Sequence, residues 1–240
     1  MSGPRWCGAI VVAAGGSRRM GGIDKQFALL GGQPVLARSV AAFETTPEVD
    51  AVVVVANPAT RDQVQRLGQA AGWRKVVAVV PGGVRRQDSA DHGLAALEQA
   101  ATAAGATLDL VLVHDGARPL AGRALIERGI AAARTHGAAI AAIPVRDTVK
   151  VVDADERITA TPDRARLQQA QTPQVFRYDL LAAAYRAARA QDLSVTDDAA
   201  LLEALGHPVY VYEGAPSNLK ITTPEDLILA EALLAAASPT

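Results

Sequence analysis

Apolar residues in this chain gather into short, dense runs rich in Val and Ala, separated by longer stretches of mixed character. Ile10–Ala13, Ala51–Val55, Val76–Val80, Leu110–His114 and Ala138–Ile143 are nearly continuous rather than alternating. That pattern predicts strands buried on both faces of a parallel sheet. Between them, Pro34–Phe43, Ala59–Ala71, Asp88–Ala104 and Gly122–His136 carry amphipathic helical spacing. The β-α-β-α alternation predicts a single α/β domain with a mostly parallel, doubly wound, Rossmann-like sheet covered by helices on both faces. In such a sheet the strand C-terminal ends share one edge, and ligands bind there.

Four polar or glycine-bearing segments follow those strands. They are the loop after Ala13, Pro81-Gly82-Gly83, His114-Asp115-Gly116-Ala117-Arg118-Pro119 and Pro144-Val145-Arg146-Asp147-Thr148. From Thr148 the rhythm breaks. Thr148–Val152 and Arg157–Thr161 flank the turn-prone cluster Asp153-Ala154-Asp155-Glu156, which predicts a β-hairpin arm within residues 146–170. An arm of that size has no core of its own, so we expect it to pack on a second subunit. Helical stretches return at Asp179–Ala190 and Asp197–Leu205, with a strand at Val209–Glu213. Thr223-Pro224-Glu225-Asp226 begins the last helix, Thr223 as N-cap and Pro224 at its first position.

The 240 residues, half of them apolar, are enough for one domain with a sizeable core. A net charge of −1 argues against nucleic acid as a partner. Cys7 is the single cysteine, so no internal disulfide or cysteine zinc cluster can form, and a buried inert thiol is expected. The start has no basic region followed by an apolar stretch, and no run approaches the roughly 20 residues of a membrane span. A cytoplasmic protein without membrane attachment is the expectation.

The loop after the first strand holds Gly15, Gly16, Gly21 and Gly22 with Arg18, Arg19 and Lys25. Glycines let backbone N–H groups approach a ligand, and cations beside them suit phosphate. The loop is neither a Walker A, since Gly22-Ile23 stands where Lys-Ser/Thr is required, nor a GxGxxG fingerprint. Asp115, at a strand end beside small residues, suits either a divalent metal shared with substrate phosphates or the capping of a turn. His114 is expected to pack beneath the site. The histidines at 92, 114, 136 and 207 have no metal-ligand spacing, and there is no GxSxG elbow. Cations, glycines and one placed acid fit phosphoryl or nucleotidyl transfer.

Taken together, these segments resemble the 2-C-methyl-D-erythritol 4-phosphate cytidylyltransferases, within the nucleotidyltransferases of GT-A-like fold. The resemblance runs from about Ala9 to Ala236. It rests on Ala13-Ala14-Gly15-Gly16-Ser17-Arg18-Arg19-Met20, Lys25-Gln26-Phe27, Gly82-Gly83, Asp88-Ser89, His114 to Pro119, Pro144 to Lys150, Gln171-Thr172-Pro173-Gln174, Thr196-Asp197-Asp198 and Asn218 to Thr222.

The resemblance implies transfer of CMP from CTP to a sugar-alcohol phosphate, with Mg²⁺ as cofactor and a homodimer joined through the arm. It places Arg19, Lys25 and Lys220 as catalytic charges around the phosphates. Ala13, Ala14, Gly15, Gly16, Gly83, Val84, Ser89, Asp115 and Gly116 would meet the nucleotide. Asp115, Arg118, Thr148, Arg164 and Thr196 would meet the acceptor, with Thr148 and Arg164 reaching across from a partner's arm. Metal would be held at Asp115 or through the CTP phosphates alone. Val12, Val84 and Gly116 depart from the family pattern, where proline, an acidic residue and alanine are usual; Gly116 is expected to add freedom beside Asp115. A ribitol 5-phosphate cytidylyltransferase is the nearest alternative, and a non-catalytic nucleotide-binding module a remoter one.

Overall fold

The structure, a computed structural model, describes residues 3–16 and 24–237. The chain opens with strand β1 (Arg5–Ala13), followed by a small hairpin of β2 (Leu29–Leu30) and β3 (Gln33–Pro34) and helix α1 (Val35–Glu44). Then come β4 (Ala51–Ala56), α2 (Arg61–Ala71), β5 (Val76–Pro81), α3 (Arg86–Ala103), β6 (Thr107–Asp115), α4 (Arg123–His136) and β7 (Ala138–Pro144). A second hairpin pairs β8 (Val151–Val152) with β9 (Ile158–Ala160). The chain closes with β10 (Gln168–Arg177), α5 (Tyr178–Gln191), α6 (Ala199–Ala204), β11 (Tyr210–Glu213) and α7 (Pro224–Ala237).

Seven strands form the central sheet in the order β11-β7-β10-β6-β1-β4-β5. All run parallel except β10, which lies antiparallel between β6 and β7. The sheet is therefore mostly parallel, as the apolar runs predict, but its one reversed strand escapes that pattern. β10 reads Gln-Gln-Ala-Gln-Thr-Pro-Gln before its first large apolar residue, and an apolar-run criterion passes over it.

Alternate residues of the strands feed two cores, the signature of a sheet covered on both sides. Ile10, Val53, Val55, Val111 and Val113 pack under α3 and α5 through Leu94, Leu97, Leu181 and Tyr185. Ala9, Val11, Val52, Val54 and Leu112 pack under α1 and α4 through Leu36, Val40, Phe43, Ile126 and Ile130. Cys7 is buried in this second core. Burial, with Asp50 nearby, pushes its thiol up to about 12, so it stays protonated and inert. α7 begins as expected: the Thr223 hydroxyl accepts from Asp226 N–H, and Asp226 accepts from Thr223 N–H at 2.8 Å, a reciprocal cap ahead of Pro224. Among the described residues, no helix is long and apolar enough to cross a membrane.

The arm is shorter than the span 146–170. Gln168, Gln169 and Ala170 already pair with Pro144, Ile143 and Ala142 in the central sheet, and Val145 N–H donates to Leu167 at 3.2 Å. Residues 145–167 therefore project as the arm. Only Val151–Val152 and Ile158–Ala160 within it are strand, because Asp153 draws the turn together by accepting from the N–H groups of Asp155 and Arg157.

Candidate active site

A cavity of about 200 Å³ opens at the C-terminal ends of β1, β5 and β6. Its walls come from distant parts of the chain. Val12 lies near the end of β1 and Ala14 and Gly15 follow it; Gly83, Val84 and Arg85 follow β5; Arg86 and Ser89 belong to the first turn of α3. Asp115 ends β6 and Ala117 follows it, and Lys25, Gln26 and Lys220 close the ring. Lys25 is presented by a turn in which Phe27 and Ala28 N–H groups donate to the Asp24 carbonyl and Gln26 N–H to its carboxylate.

Asp115 is the electrostatic centre. Lys220 Nζ lies 2.9 Å and Arg118 Nε 3.4 Å from its Oδ2, and Arg86 Nε lies 3.5 Å from its Oδ1. The residue is only 8% exposed. Burial alone would favour its neutral form; Lys220 first, then Arg86 and Arg118, outweigh this and hold the carboxyl well below the usual range. One carboxylate faces three cations, with Lys25 on the same cavity, so the pocket carries excess positive charge suited to a polyphosphate.

Buried polar residues from β10 hold this arrangement from beneath. Thr172 Oγ1 accepts from Asp115 N–H at 3.0 Å and lies 3.0 Å from His114 Nδ1. His114 Nε2 faces the Arg118 carbonyl at 3.2 Å. These partners assign a neutral imidazole that donates from Nε2 and accepts at Nδ1. Burial pushes its pKa down to about 4. His114 thus packs beneath the site, as expected, and does not line the cavity. Asn218 donates to the Thr172 carbonyl at 2.8 Å, and Gln171 donates to the Ala215 carbonyl at 2.9 Å. Asn218 in turn offers its carbonyl to Arg118 Nη1 at 2.7 Å, and Ile221 N–H donates to the Ala117 carbonyl. The loop carrying Lys220 is thereby fastened to both β10 and the end of β6.

The loop after β5 is shaped by close approach. Gly82 N–H donates to the Ala56 carbonyl at 2.8 Å, and a Cβ on Gly82 would lie 2.2 Å from the Ala14 Cβ. Only glycine fits there. Ser89 Oγ accepts from Gly83 N–H and donates to the Arg85 carbonyl, both at 3.1 Å. Its hydroxyl thereby fixes Gly83 in place, while Ser89 itself lines the cavity. Asp88 accepts from the backbone and side chain of Arg85, which caps α3 and fixes the Arg85 guanidinium. Val84 projects fully into solvent at the cavity mouth.

Other expected residues lie elsewhere. Arg19 falls outside the described residues. Ala13 is core, and Gly16 is exposed outside the cavity wall. Gly116 is not a point of added freedom: a Cβ there would sit 3.0 Å from the Ala13 Cβ and 3.2 Å from Gln26 Oε1 and Leu36 Cδ1. Its N–H is bonded to Val12 and its carbonyl to Ser39. Arg118 contacts Asp115, whereas Thr196 is exposed away from the cavity wall. Thr148 and Arg164 are exposed on the arm, where Arg164 Nη1 donates to the Arg146 carbonyl at 2.9 Å. Sequence reasoning missed Arg86, which touches Asp115 and, at 2.7 Å, the fully buried Asp198. The available signal was two adjacent arginines one residue beyond a glycine pair at a strand's C-terminal edge.

Among the described residues, no three His, Cys, Asp or Glu side chains gather to hold a metal ion. Asp115 is the one carboxylate among the described residues lining the cavity. That set fits Mg²⁺, which commonly takes one or two carboxylates and completes its shell with substrate phosphates and water, and not a metal caged by protein alone.

A family model described as 2-C-methyl-D-erythritol 4-phosphate cytidylyltransferase matches residues 7–236. A protein of that name from Dehalococcoides mccartyi is 44% identical over 227 residues, 95% of each chain. Another from Geobacter metallireducens is 46% identical over 231 residues, 94% of this chain and 96% of the relative. Among solved structures, 4-diphosphocytidyl-2C-methyl-D-erythritol synthase from Anaerococcus prevotii superposes with a TM-score of 0.83 at 33% identity, covering 96% of this chain and 99% of that one.

Proposed function

This chain belongs to the 2-C-methyl-D-erythritol 4-phosphate cytidylyltransferase family, and on that premise we propose how its cavity performs the family's reaction. The enzyme is a nucleotidyltransferase. It transfers CMP from CTP to 2-C-methyl-D-erythritol 4-phosphate, making 4-diphosphocytidyl-2-C-methyl-D-erythritol for isoprenoid synthesis and releasing pyrophosphate. An oxygen of the acceptor phosphate forms a bond to the α-phosphorus. The bond from that phosphorus to the α,β-bridging oxygen breaks, and its electron pair leaves with pyrophosphate. The acceptor phosphate is already anionic at neutral pH, so no general base is required. In keeping with this, no histidine lines the cavity among the described residues, and His114 is buried and neutral.

The chemical difficulty is repulsion between two polyanions. Lys25, Lys220 and Arg86 share one cavity with Asp115, and this convergence of cations from three segments is the observation that carries the reading. We assign Lys25 and Lys220, with Arg19, to the phosphates, where they offset charge that builds on the five-coordinate phosphorus. Gly15 and Gly83 offer backbone approach to the nucleotide. Asp115 and the CTP phosphates would hold Mg²⁺, which supplies further charge neutralisation when bound. Arg118 and Thr196 are assigned to the acceptor side.

The arm supports a homodimer. Two isolated short strands are marginal alone, and Val149, Val151, Val152 and Ile158 are exposed on the arm that carries them. A second copy covering these side chains would also bring its Thr148 and Arg164 to the acceptor. Sedimentation of the intact chain is expected to give a dimer, and Val151→Asp with Ile158→Asp a monomer; a monomeric parent would refute this assignment. The activity itself is tested by pyrophosphate release from CTP with 2-C-methyl-D-erythritol 4-phosphate and with ribitol 5-phosphate. Preference for the first is expected, and preference for the second would overturn the substrate assignment.

A further inference from the structure

The segment carrying Thr196 is held against the nucleotide side by three consecutive residues of one turn. Arg85 Nη1 donates to Asp192 Oδ1 at 3.2 Å, and Gln87 Nε2 donates to the Leu193 carbonyl at 2.7 Å. Gln87 Oε1 accepts from Val195 N–H at 2.9 Å. Between them, Arg86 spans two acids: its Nη1 donates to Asp198 Oδ2 at 2.7 Å, and its Nε lies 3.5 Å from Asp115 Oδ1. Asp198 is wholly buried, and its other oxygen accepts from the Tyr185 hydroxyl. Gln174, from β10, accepts from the N–H groups of Asp198 and Ala199 and donates to Asp197 at 2.8 Å. Asp198 is therefore fixed on every side, and it aims the guanidinium.

The two halves of this bridge differ in strength. The 2.7 Å contact is a charge-assisted hydrogen bond to a buried partner; the 3.5 Å contact is long and lies at the cavity wall. Burial works against charge on Arg86, but Asp198 and then Asp115 outweigh it and keep it cationic. An incoming phosphate can take Arg86 from Asp115 without breaking its bond to Asp198. A guanidinium can engage two partners in its plane, whereas an ammonium is a single point charge.

We propose that Arg86 is a positioning residue that couples nucleotide binding to acceptor binding, because it joins Asp115 in the cavity to Asp198 at the root of the Thr196 segment. This rests on the functional reading above, in which the cavity takes CTP and Thr196 serves the acceptor. Nucleotide phosphate that recruits Arg86 fixes its bond to Asp198, and with it the place of the segment. By linkage, acceptor binding must then tighten nucleotide binding by the same factor.

The test measures binding of 2-C-methyl-D-erythritol 4-phosphate by calorimetry, with and without a non-hydrolysable CTP analogue, on the full chain with Mg²⁺. Wild type is expected to bind the acceptor at least about fivefold more tightly with the analogue present, within the usual range of such couplings. In Arg86→Lys the ratio is expected to fall below about twofold, with affinity for the analogue alone reduced as well, because the phosphate loses its planar two-partner guanidinium. A role confined to folding would instead lower the melting temperature and leave the ratio as it is in wild type. Asp198→Asn, with the bridge cut at its other end, is expected to lose the coupling in the same way and serves if Arg86→Lys does not fold. Coupling retained in either folded variant, or absent in wild type, overturns the proposal. Wild-type turnover is measured in parallel: its absence overturns the functional reading, whereas intact turnover with coupling unchanged by the substitutions overturns only the role of Arg86.

Discussion

Replacing Asp115 with Asn isolates the charge of one carboxylate while keeping its shape. In the native site that carboxylate lies within 3.5 Å of Lys220, Arg118 and Arg86. Asn leaves three cations facing one another around a neutral amide. Removing one partner of a buried ion pair commonly costs about 3–5 kcal/mol. Lys220 keeps 40% of its side chain in solvent, so water screens part of the repulsion and the expected loss is at the low end, about 3 kcal/mol. For a chain of this size that is a fall in Tm of roughly 6–12 °C. Urea unfolding followed by circular dichroism measures it, with an unchanged m-value showing that the native state is otherwise intact. The same logic gives a second readout. Pyrophosphate restores the missing negative charge, so it should raise the Tm of Asp115→Asn more than that of the parent. A variant within about 1 kcal/mol of the parent, or equal stabilisation of both by pyrophosphate, would refute the view that Asp115 offsets the repulsion among these cations.

Lys25→Ala is expected to lower kcat by roughly 10²–10³-fold, the cost of removing an anion-stabilising donor; steady-state turnover within a few-fold of the parent would remove Lys25 from the phosphates. Gly82→Ala, whose new Cβ would meet Ala14 at 2.2 Å, is expected to destabilise the fold by about 1–3 kcal/mol and to raise KM for CTP, read by thermal melting and kinetics. His114 has its pKa held down at about 4 in the fold against 6.5 when free. Its contribution to stability is therefore complete above pH 6.5 and is lost as pH falls through about 4, a change of about 3 kcal/mol. Thr172→Val, which leaves His114 Nδ1 and Asp115 N–H without their partner, should lower stability by about 1–3 kcal/mol at neutral pH; stability curves against pH for both proteins check this pair.

The parallel strands were legible because burial on both faces forces continuous apolar runs: Ala51–Val55 reads as β4 almost to the residue. β10 was not legible, because its buried residues Gln171, Thr172 and Gln174 are polar. Their burial depends on partners in loops far away in sequence, and no local pattern encodes those partners. The arm could be anticipated from its turn residues, but its end could not, since Gln168 to Ala170 look the same in an arm as in a sheet. Asp115 stood out as a charge beside small residues at a predicted strand end, whereas Lys220 was reached only through the family resemblance. Arg86 did not stand out, because an arginine in a helix's first turn is ordinarily solvated, and only the tertiary placement of Asp198 gives it a second partner. Gly116 shows the converse error: a small residue suggested looseness, whereas Ala13, Gln26 and Leu36 enclose it.

Pro144 and Gln168 face each other across the ladder that joins β7 to β10. The twenty-odd residues between them leave the sheet and return to it at a single doorway. Nothing in the register of the seven strands depends on how far that excursion runs. Its length and shape can change without altering the pairing of the seven strands, so long as Thr148 and Arg164 still reach the acceptor. The part of the molecule proposed to meet a second copy is thus also the part whose redesign disturbs the enzyme's frame least.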